Sequence, residues 1–347
     1  MTTRRTLMAG AAGTLLAPAL PRLAHAADAA SFTFGPDTPL YALSHIATER
    51  KFFAEEGIDP KVMTTDAGAR GRQNVAAGEA MFGHGDASHP LQLTNRGKKA
   101  KILLVTQMVA SYANHCIRQD LYDQRITTPD KLAEWKRPNG GKPVIGVTAL
   151  GSGTWMFSTY LFQRRKLDRN ITWVAAGGTS TALAGLKSKQ FDAITTPISW
   201  QVEAEKNGFG RSIYDVRAPG VWQKDFGGYV PVSTIYALED TINEKRETVQ
   251  KVVNALVKAM AYVRATPTDQ LYQTIGTKYY AGLDAAAAKE EFAFDPQTWP
   301  AYNGLLDRET FARGGDIWNR PGTDIPPTKY EDVVDMSFLE AALKKVG

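Results

Sequence analysis

The chain is poor in cysteine, in long apolar runs and in excess charge, and each shortage excludes a class of protein. Its single cysteine, Cys116, allows no disulfide within the chain, and a lone cysteine of this kind is usually buried and inert. Beyond the first residues no apolar stretch approaches the roughly 20 residues of a membrane-spanning helix, and we expect no insertion into a membrane. The formal net charge is only +5, without Lys and Arg clusters interleaved with aromatics, which argues against a nucleic acid partner.

The N-terminal segment has the pattern of a signal peptide. Arg4 and Arg5 precede an apolar run over residues 7–20, which is followed by Ala-His-Ala, the small-x-small pattern of a cleavage site. We therefore expect residues 1–26 to be removed near Ala26 and the mature protein to be periplasmic. The paired arginines suggest the twin-arginine route, although general secretion signals also carry two basic residues.

The same strand, helix and strand pattern occurs twice in the chain. Residues 59–83 contain a strand-like run, a helix-like segment rich in small residues and a short apolar strand, and residues 172–194 repeat this order. The repeat predicts two similar α/β lobes with a ligand cleft between them. Residues 247–264 have apolar side chains every three or four positions and predict a long core helix. Residues 208–214 are interpreted as a surface stretch.

Short phrases spread over most of the chain resemble a known family. They lie at residues 39–58, 77–83, 143–154 and 186–193. In order and spacing they resemble the periplasmic substrate-binding proteins of ABC importers in the nitrate, sulfonate, taurine and thiamine-pyrimidine-precursor group, the NMT1-like family. The resemblance implies a type II two-lobe periplasmic binding protein fold. Each lobe would be a mixed α/β sheet flanked by helices, and two crossover hinge strands would join the lobes.

The resemblance also implies a domain organisation and partners. Lobe one would comprise residues 27–113 plus 231–347, and lobe two residues 114–230. The hinge strands would lie near residues 112–118 and 230–237, and the lobes would close around the ligand. We expect a monomer without cofactor or metal, which delivers a small-molecule ligand to the membrane subunits of an ABC permease. A sensor that uses the same lobes to signal to a partner is a further class.

Ligands of open α/β sheets bind at the carboxyl ends of strands, and several loops of this chain meet that condition. These loops are residues 35–41, 84–88, 109–112 and 150–155, joined by 177–179 and 195–197. The candidate ligand contacts are Asp37, Tyr41, His84, Asp86, Ser88, Ser111, Tyr112, Ser152, Gly153, Thr154, Trp155, Thr179, Thr196 and Trp200.

The turn at residues 151–154, Gly-Ser-Gly-Thr, is the most specific of these signals. Its backbone N–H groups at the start of a helix suit an anion, while the alternative is that Ser152 or Thr154 merely caps the helix. No Lys follows at the spacing of a phosphate-binding loop. We favour a small organic anion, a carboxylate or sulfonate, and an uncharged or cationic heterocycle such as a pyrimidine-type thiamine precursor is the alternative.

Metal binding and catalysis are weaker hypotheses. His84, Asp86 and His89 do not have the spacing of a helical pair of metal ligands, and no cysteine is near them. The fungal pyrimidine synthases of thiamine biosynthesis resemble this family and carry a His-Cys-Cys-Phe-Cys motif, of which only His115 and Cys116 occur here. Neighbours on a strand point to opposite faces, which does not suit a Cys–His pair. We expect a binding protein rather than an enzyme.

Overall fold

The computed structural model describes residues 27–298 and 303–346. The predicted signal peptide and its cleavage near Ala26 lie outside the described residues. Within the described ranges, no helix combines the length and the apolar character needed to cross a bilayer.

Two mixed five-stranded sheets organise the described chain. The first, which defines lobe one, contains β1 (Asp28–Phe34), β2 (Ile58–Thr64), β3 (Phe82–Asp86), β4 (Ala100–Gln107) and β10 (Ser233–Leu238) in the order β2-β1-β3-β10-β4. The second, which defines lobe two, contains β5 (Asn114–Arg118), β6 (Val144–Val147), β7 (Thr172–Ala175), β8 (Ala193–Thr196) and β9 (Gly210–Tyr214) in the order β7-β6-β8-β5-β9.

The two sheets share one topology. In each, three parallel strands (β2, β1 and β3, or β7, β6 and β8) are followed by two strands that pair antiparallel. The internal repeat therefore corresponds to the parallel half of each sheet, and the predicted mixed α/β fold in two lobes is confirmed.

The interpretation of residues 208–214 as a surface stretch is wrong, because they contain strand β9. This strand pairs antiparallel with β5, and its Ile213 and Tyr214 are buried. Gly210 packs so closely on Cys116 that a Cβ there would come within 2.8 Å of the sulfur. The polar residues Arg211 and Ser212 mask this short strand in the sequence.

Helices cover the faces of both sheets. They are α1 (Ala42–Glu49), α2 (Phe52–Glu55), α3 (Gly68–Ala77), α4 (Ser88–Asn95), α5 (Gln119–Asp123), α6 (Pro129–Glu134), α7 (Gly153–Arg164), α8 (Thr179–Lys187), α9 (Ile198–Lys206), α10 (Val221–Phe226), α11 (Glu239–Glu244), α12 (Arg246–Ala265), α13 (Thr268–Tyr279), α14 (Ala285–Thr298), α15 (Arg308–Trp318), α16 (Tyr330–Val333) and α17 (Ser337–Val346), with 3-10 turns at Pro39–Tyr41 and Asp168–Asn170. The predicted core helix is α12, whose buried stripe packs against α1, α2 and α17.

The chain passes between the lobes through residues 108–113 and returns through residues 215–232. The second passage is hydrogen-bonded to the first and to the end of β4, because Val230 N–H donates to Met108 O at 3.2 Å and Val232 N–H to Gln107 O at 3.0 Å. The two passages precede β5 and β10, which occupy the fourth position of their sheets. The predicted hinge strands, residues 112–118 and 230–237, begin in these passages and continue into β5 and β10, and we retain their hinge role as a proposal.

The C-terminal helices also connect the lobes. Helix α14 packs against α9 and helix α15 against α7, while α17 returns to lobe one beside α12. Arg320, which follows α15, donates to Met156 O of α7 at 2.7 Å. The proposed assignment of residues 231–347 to lobe one therefore includes helices that contact lobe two.

Candidate ligand-binding site

A cavity of about 50 Å³ lies between the two lobes, at the carboxyl ends of β3 and β8. From lobe one and the first passage it is lined by Pro36, Thr38, Leu40, Tyr41, Gly68, Asp86, His89 and Tyr112. From lobe two it is lined by Thr148, Ser152, Gly153, Thr154, Pro197 and Trp200.

Asp86 ends strand β3 and is buried in the cavity wall. Its Oδ1 accepts the Ser88 N–H at 2.9 Å, and its Oδ2 accepts the Tyr112 hydroxyl at 2.7 Å. Burial raises the pKa of the Asp86 carboxyl above its ordinary value, while these hydrogen bonds and the charge of Arg72 partly oppose that rise. Asp86 is the one acidic side chain among the described residues that line the cavity, and none of them is Lys or Arg.

The wall from lobe two is built from hydroxyl groups at the start of α7. The hydroxyl oxygens of Thr148, Ser152 and Thr154 lie 2.9 Å from one another, and Ser152 also donates to Ala149 O at 2.7 Å. Ser152 occupies the N-cap position, but its side chain does not cap the helix. The first N–H groups of α7 are therefore not capped by the residue that the sequence offers for that role.

The two walls meet at Gly153. A Cβ at this position would overlap Oδ2 of Asp86 and would lie 2.7 Å from the Tyr112 hydroxyl oxygen. Only a glycine allows this approach, which brings the carboxylate of Asp86 to the positive end of the α7 dipole. In this closed arrangement, the protein's own carboxylate stands beside the helix terminus that was expected to hold an anion.

A polar tether joins the lobes beside the cavity. Arg72 of α3 donates to Oε1 of Gln92, and both side chains donate to Gly151 O of lobe two, from 3.4 Å and 3.2 Å respectively. Arg72 is buried behind the wall and does not line the cavity. The tether closes the cleft around the cavity.

The two histidines of this region, His84 and His89, differ in their contacts. His84 is hydrogen-bonded at both ring nitrogens, to Ser44 at 2.9 Å and to Thr106 at 3.0 Å, and burial lowers its pKa to about 3. His89 lines the cavity, and its Nδ1 lies 3.3 Å from the Tyr236 hydroxyl. His84 is thus a structural residue behind the wall, whereas His89 faces the cleft.

The structure brings half of the candidate residues to the cavity. These are Tyr41, Asp86, Tyr112, Ser152, Gly153, Thr154 and Trp200. Asp37 and Thr179 instead line an open cleft outside it, together with Asp66 and Tyr279.

The remaining candidates lie behind the walls. Ser88 and Thr196 are buried beside the ends of β3 and β8, and Ser111 is buried in the first passage. The guanidinium of Arg320 lies over the ring of Trp155, 5.8 Å from its centroid. These four, with His84, do not line the cavity.

The sequence interpretation missed several lining residues. Those without a place among the candidates are Pro36, Thr38, Leu40, Gly68, His89, Thr148 and Pro197. His89 had a signal, because it stands in the first copy of the repeat where Trp200 stands in the second. The loops 35–41 and 195–197, which the sequence placed at the ligand site, contain four of the others, whereas Gly68 and Thr148 carry no comparable signal.

The metal and thiol hypotheses depend on how the structure places the histidines, the acidic residues and Cys116. In the described ranges, no group of three or more His, Cys, Asp and Glu side chains could hold a metal ion. Cys116 is buried within the second sheet, away from the cavity, and burial raises the pKa of its thiol.

Comparison with known proteins gives one family and many structures. The model of the NMT1-like family matches residues 26–275. No curated protein sequence matches the chain.

Three solved structures illustrate the likeness. A protein from Bordetella bronchiseptica is 22% identical with a TM-score of 0.77, over 91% of this chain and 97% of its own. The periplasmic nitrate-binding protein of Synechocystis is 13% identical with a TM-score of 0.67, over 92% and 89%. An alkanesulfonate-binding protein of Xanthomonas axonopodis, solved with MOPS bound, is 15% identical with a TM-score of 0.63, over 92% and 99%.

These likenesses show the fold alone, and the periplasmic binding protein fold is confirmed. Most of these neighbours are binding proteins, but a desulfurization enzyme shares the fold, with 16% identity and a TM-score of 0.62 over 92% of this chain and 99% of its own.

Proposed function

The chain belongs to the NMT1-like family, and from that premise we propose that it is the solute-binding component of an ABC-type importer. It captures a small organic solute between its lobes and delivers it to the membrane subunits of a permease, as an exported periplasmic monomer. The cavity between the lobes, at the carboxyl ends of the strands, supports this role. The two passages between the lobes support closure around the solute.

Our proposal for the ligand is based on the charge of the side chains that line the cavity. Asp86 is the acidic side chain of the described lining, and no Lys or Arg is there to neutralise an anion. While the Asp86 carboxyl group is ionised, its Oδ atoms can accept hydrogen bonds but cannot donate one. We therefore favour an uncharged or cationic solute that donates to Asp86, the class that includes a pyrimidine-type thiamine precursor.

A small organic anion, a carboxylate or sulfonate, is the second candidate. The start of α7, with its uncapped N–H groups and three neighbouring hydroxyls, favours it. An anion at that position would meet Asp86 at close range, so it requires Asp86 to be protonated. The raised pKa of Asp86 makes that protonation less costly than it is in water.

A substitution of Asp86 separates the two candidates. Thermal-shift screening would present organic anions, uncharged heterocycles and cations in separate pools, because a ligand of the folded state raises the melting temperature. Asp86→Asn should abolish the shift given by cations and heterocycles, whereas it should preserve or enlarge the shift given by an anion. Asp37→Asn, which changes an acid of the outer cleft, is the matched control.

The binding role also excludes turnover, which distinguishes it from an enzyme on the same fold. Cys116, the one thiol of the sequence, is buried away from the cavity. We expect mass spectrometry to recover the bound solute unchanged after prolonged incubation with the protein. A stoichiometric excess of any product would establish the enzyme instead.

A further inference from the structure

The two copies of the repeat place a nitrogen-containing ring at corresponding points of the cavity wall. In lobe one, Asp86 ends β3 and His89 follows in the first turn of α4. In lobe two, Pro197 follows β8 and Trp200 lies in the first turn of α9. Both residues line the cavity, and each is only 1% exposed.

Each ring has one nitrogen that no group of the described chain satisfies. These atoms are Nε2 of His89 and Nε1 of Trp200. The indole N–H can only donate a hydrogen bond. Buried polar atoms in native proteins rarely lack partners, so two unsatisfied nitrogens, one on each wall of the cavity, call for acceptors supplied by the cavity's contents.

The hydrogen bond to Tyr236 decides what His89 offers. The Tyr236 hydroxyl has Nδ1 of His89 as its partner within the described residues, at 3.3 Å. If the hydroxyl donates to Nδ1, the phenol hydrogen is satisfied and Nε2 carries the ring proton. The opposite tautomer would leave both the phenol hydrogen and Nε2 without partners. His89 therefore presents an N–H donor, like Trp200.

His89 remains a neutral donor over the ordinary pH range. Burial and the nearby charge of Arg72 hold its pKa well below the ordinary value. The ring has room beside Gly68, which also lines the cavity, since a Cβ at Gly68 would come within 3.1 Å of Cε1 of His89.

We propose that His89 and Trp200 determine specificity, each donating its ring N–H to an acceptor atom of the bound solute. The proposal rests on the proposed function and narrows its ligand. The solute is a compact polar molecule that offers two hydrogen-bond acceptors to the two lobes and a donor to Asp86. Amino-substituted diazines carry this set of one donor group and two acceptors on a single ring.

A series of three probes of one shape tests the acceptor requirement. Aminopyrazine, 3-aminopyridine and aniline each carry an amino donor, and they have two, one and no ring acceptors. At pH 8 all three are uncharged. Ligand-observed NMR titration of the full protein should give affinities that fall in that order, by about threefold to tenfold for each acceptor lost.

Variants then assign each acceptor to its donor. Trp200→Phe removes the indole N–H and keeps an aromatic ring. For this variant the affinity should therefore fall at only one of the two steps of the probe series. For His89, the double variant His89→Phe with Tyr236→Phe is compared with Tyr236→Phe alone, because the pair removes Nε2 without leaving the phenol hydroxyl unpaired. It should also lose one step. Circular dichroism and melting curves show that each variant is folded.

A second measurement needs no ligand. The ¹⁵N chemical shifts of the His89 imidazole should report a proton on Nε2 and none on Nδ1. A proton on Nδ1 would overturn the donor assignment even if both variants fail to fold.

Other outcomes also decide the proposal. It is overturned if aminopyrazine does not bind, if the three probes bind alike, or if the variants keep the wild-type order. If a solute from the screening pools binds while aminopyrazine does not, this inference falls and the importer role stands. If neither a pool nor a probe binds, the proposed function falls with it.

Discussion

The two lobes share a strand-to-helix junction at the cavity. In lobe one it joins β3 to α4, and in lobe two it joins β8 to α9, but a different carboxylate caps the helix in each. In lobe one, Ser88 N–H donates at 2.9 Å to Asp86, which precedes it by two residues. In lobe two, Pro197 stands in the place of Asp86, and Ser199 N–H donates at 2.9 Å to Glu291 of α14.

The origin of the cap determines what each lobe can contribute to the cavity. The local cap, Asp86, lies in the wall, where its second oxygen meets Tyr112 and Gly153. The remote cap, Glu291, is fully buried and fixes α14 against lobe two. Lobe one thus supplies the charge of the cavity, while lobe two supplies hydroxyls and a helix terminus.

The largest effect is expected at Gly153, where the two walls meet. Gly153→Val should reduce solute affinity at least about a hundredfold, roughly 2.7 kcal/mol, because the side chain would overlap Asp86 and Tyr112 and hold the lobes apart. Calorimetry measures the loss, and small-angle scattering should show no compaction with solute. Gly282→Val is the control, since a Cβ there meets no atom within 4 Å. Unchanged affinity in folded Gly153→Val protein would place the solute elsewhere.

Removal of the remote cap should destabilise the fold. Glu291→Ala leaves the buried Ser199 N–H and hydroxyl without their acceptor, and we expect the free energy of unfolding to fall by about 2–3 kcal/mol in urea titration. Glu290→Ala is the matched control, because its exposed carboxylate pairs with Arg217 at the surface, and it should cost less than about 1 kcal/mol. Equal losses in both variants would contradict the capping role.

The remote cap should also make stability depend on pH. Burial raises the pKa of Glu291 from 4.5 to about 7, against smaller opposing effects of its hydrogen bonds to Ser199 and the charge of Arg217. The folded state therefore holds this proton more tightly than the unfolded chain. The resulting stabilisation is complete below about pH 4.5 and is lost as pH rises through about 7.

Glu291→Gln isolates this contribution, because the amide oxygen can still accept from Ser199 but does not titrate. The difference in the free energy of unfolding between wild type and variant should change by roughly 1–3 kcal/mol from pH 4 to pH 8, with wild type losing stability. A difference that is constant with pH would refute the raised pKa.

The smallest effect is expected at the tether. Gln92→Ala removes the 3.2 Å bond to Gly151 O and should weaken solute binding about threefold, since Arg72 still donates to this oxygen and the bond lost between the lobes is a neutral one, worth about 1 kcal/mol or less. Gln223→Ala, in an exposed helix-end contact with Gly227, should leave the affinity unchanged. A similar loss in both would show that the tether does not favour closure.

The sequence predicts the two lobes because their parallel halves are contiguous segments. The repeat contains a strand, a helix and a second strand in each copy, and these local patterns survive folding in both. Strand β9 escapes prediction because Arg211 and Ser212 interrupt its apolar pattern and its partner β5 is distant in sequence.

A site residue can be predicted from the sequence where only one residue type suits the position, as glycine does at Gly153. It is not predictable where long-range packing decides the role. His84 and His89 look alike in sequence, yet Ser44 and Thr106 satisfy the first ring and leave the second to the cavity. Glu291 caps a helix from another part of the chain, which no local motif reveals.

The position of β10 has a consequence for how the molecule is made. Strands β5 to β9 form one continuous stretch, so lobe two can complete its sheet as soon as that stretch is synthesised. Strand β10 lies between β3 and β4, so the sheet of lobe one stays divided until lobe two has been made. Contacts so distant in sequence form slowly. Pulsed hydrogen exchange during refolding should therefore protect β5 to β9 before β10.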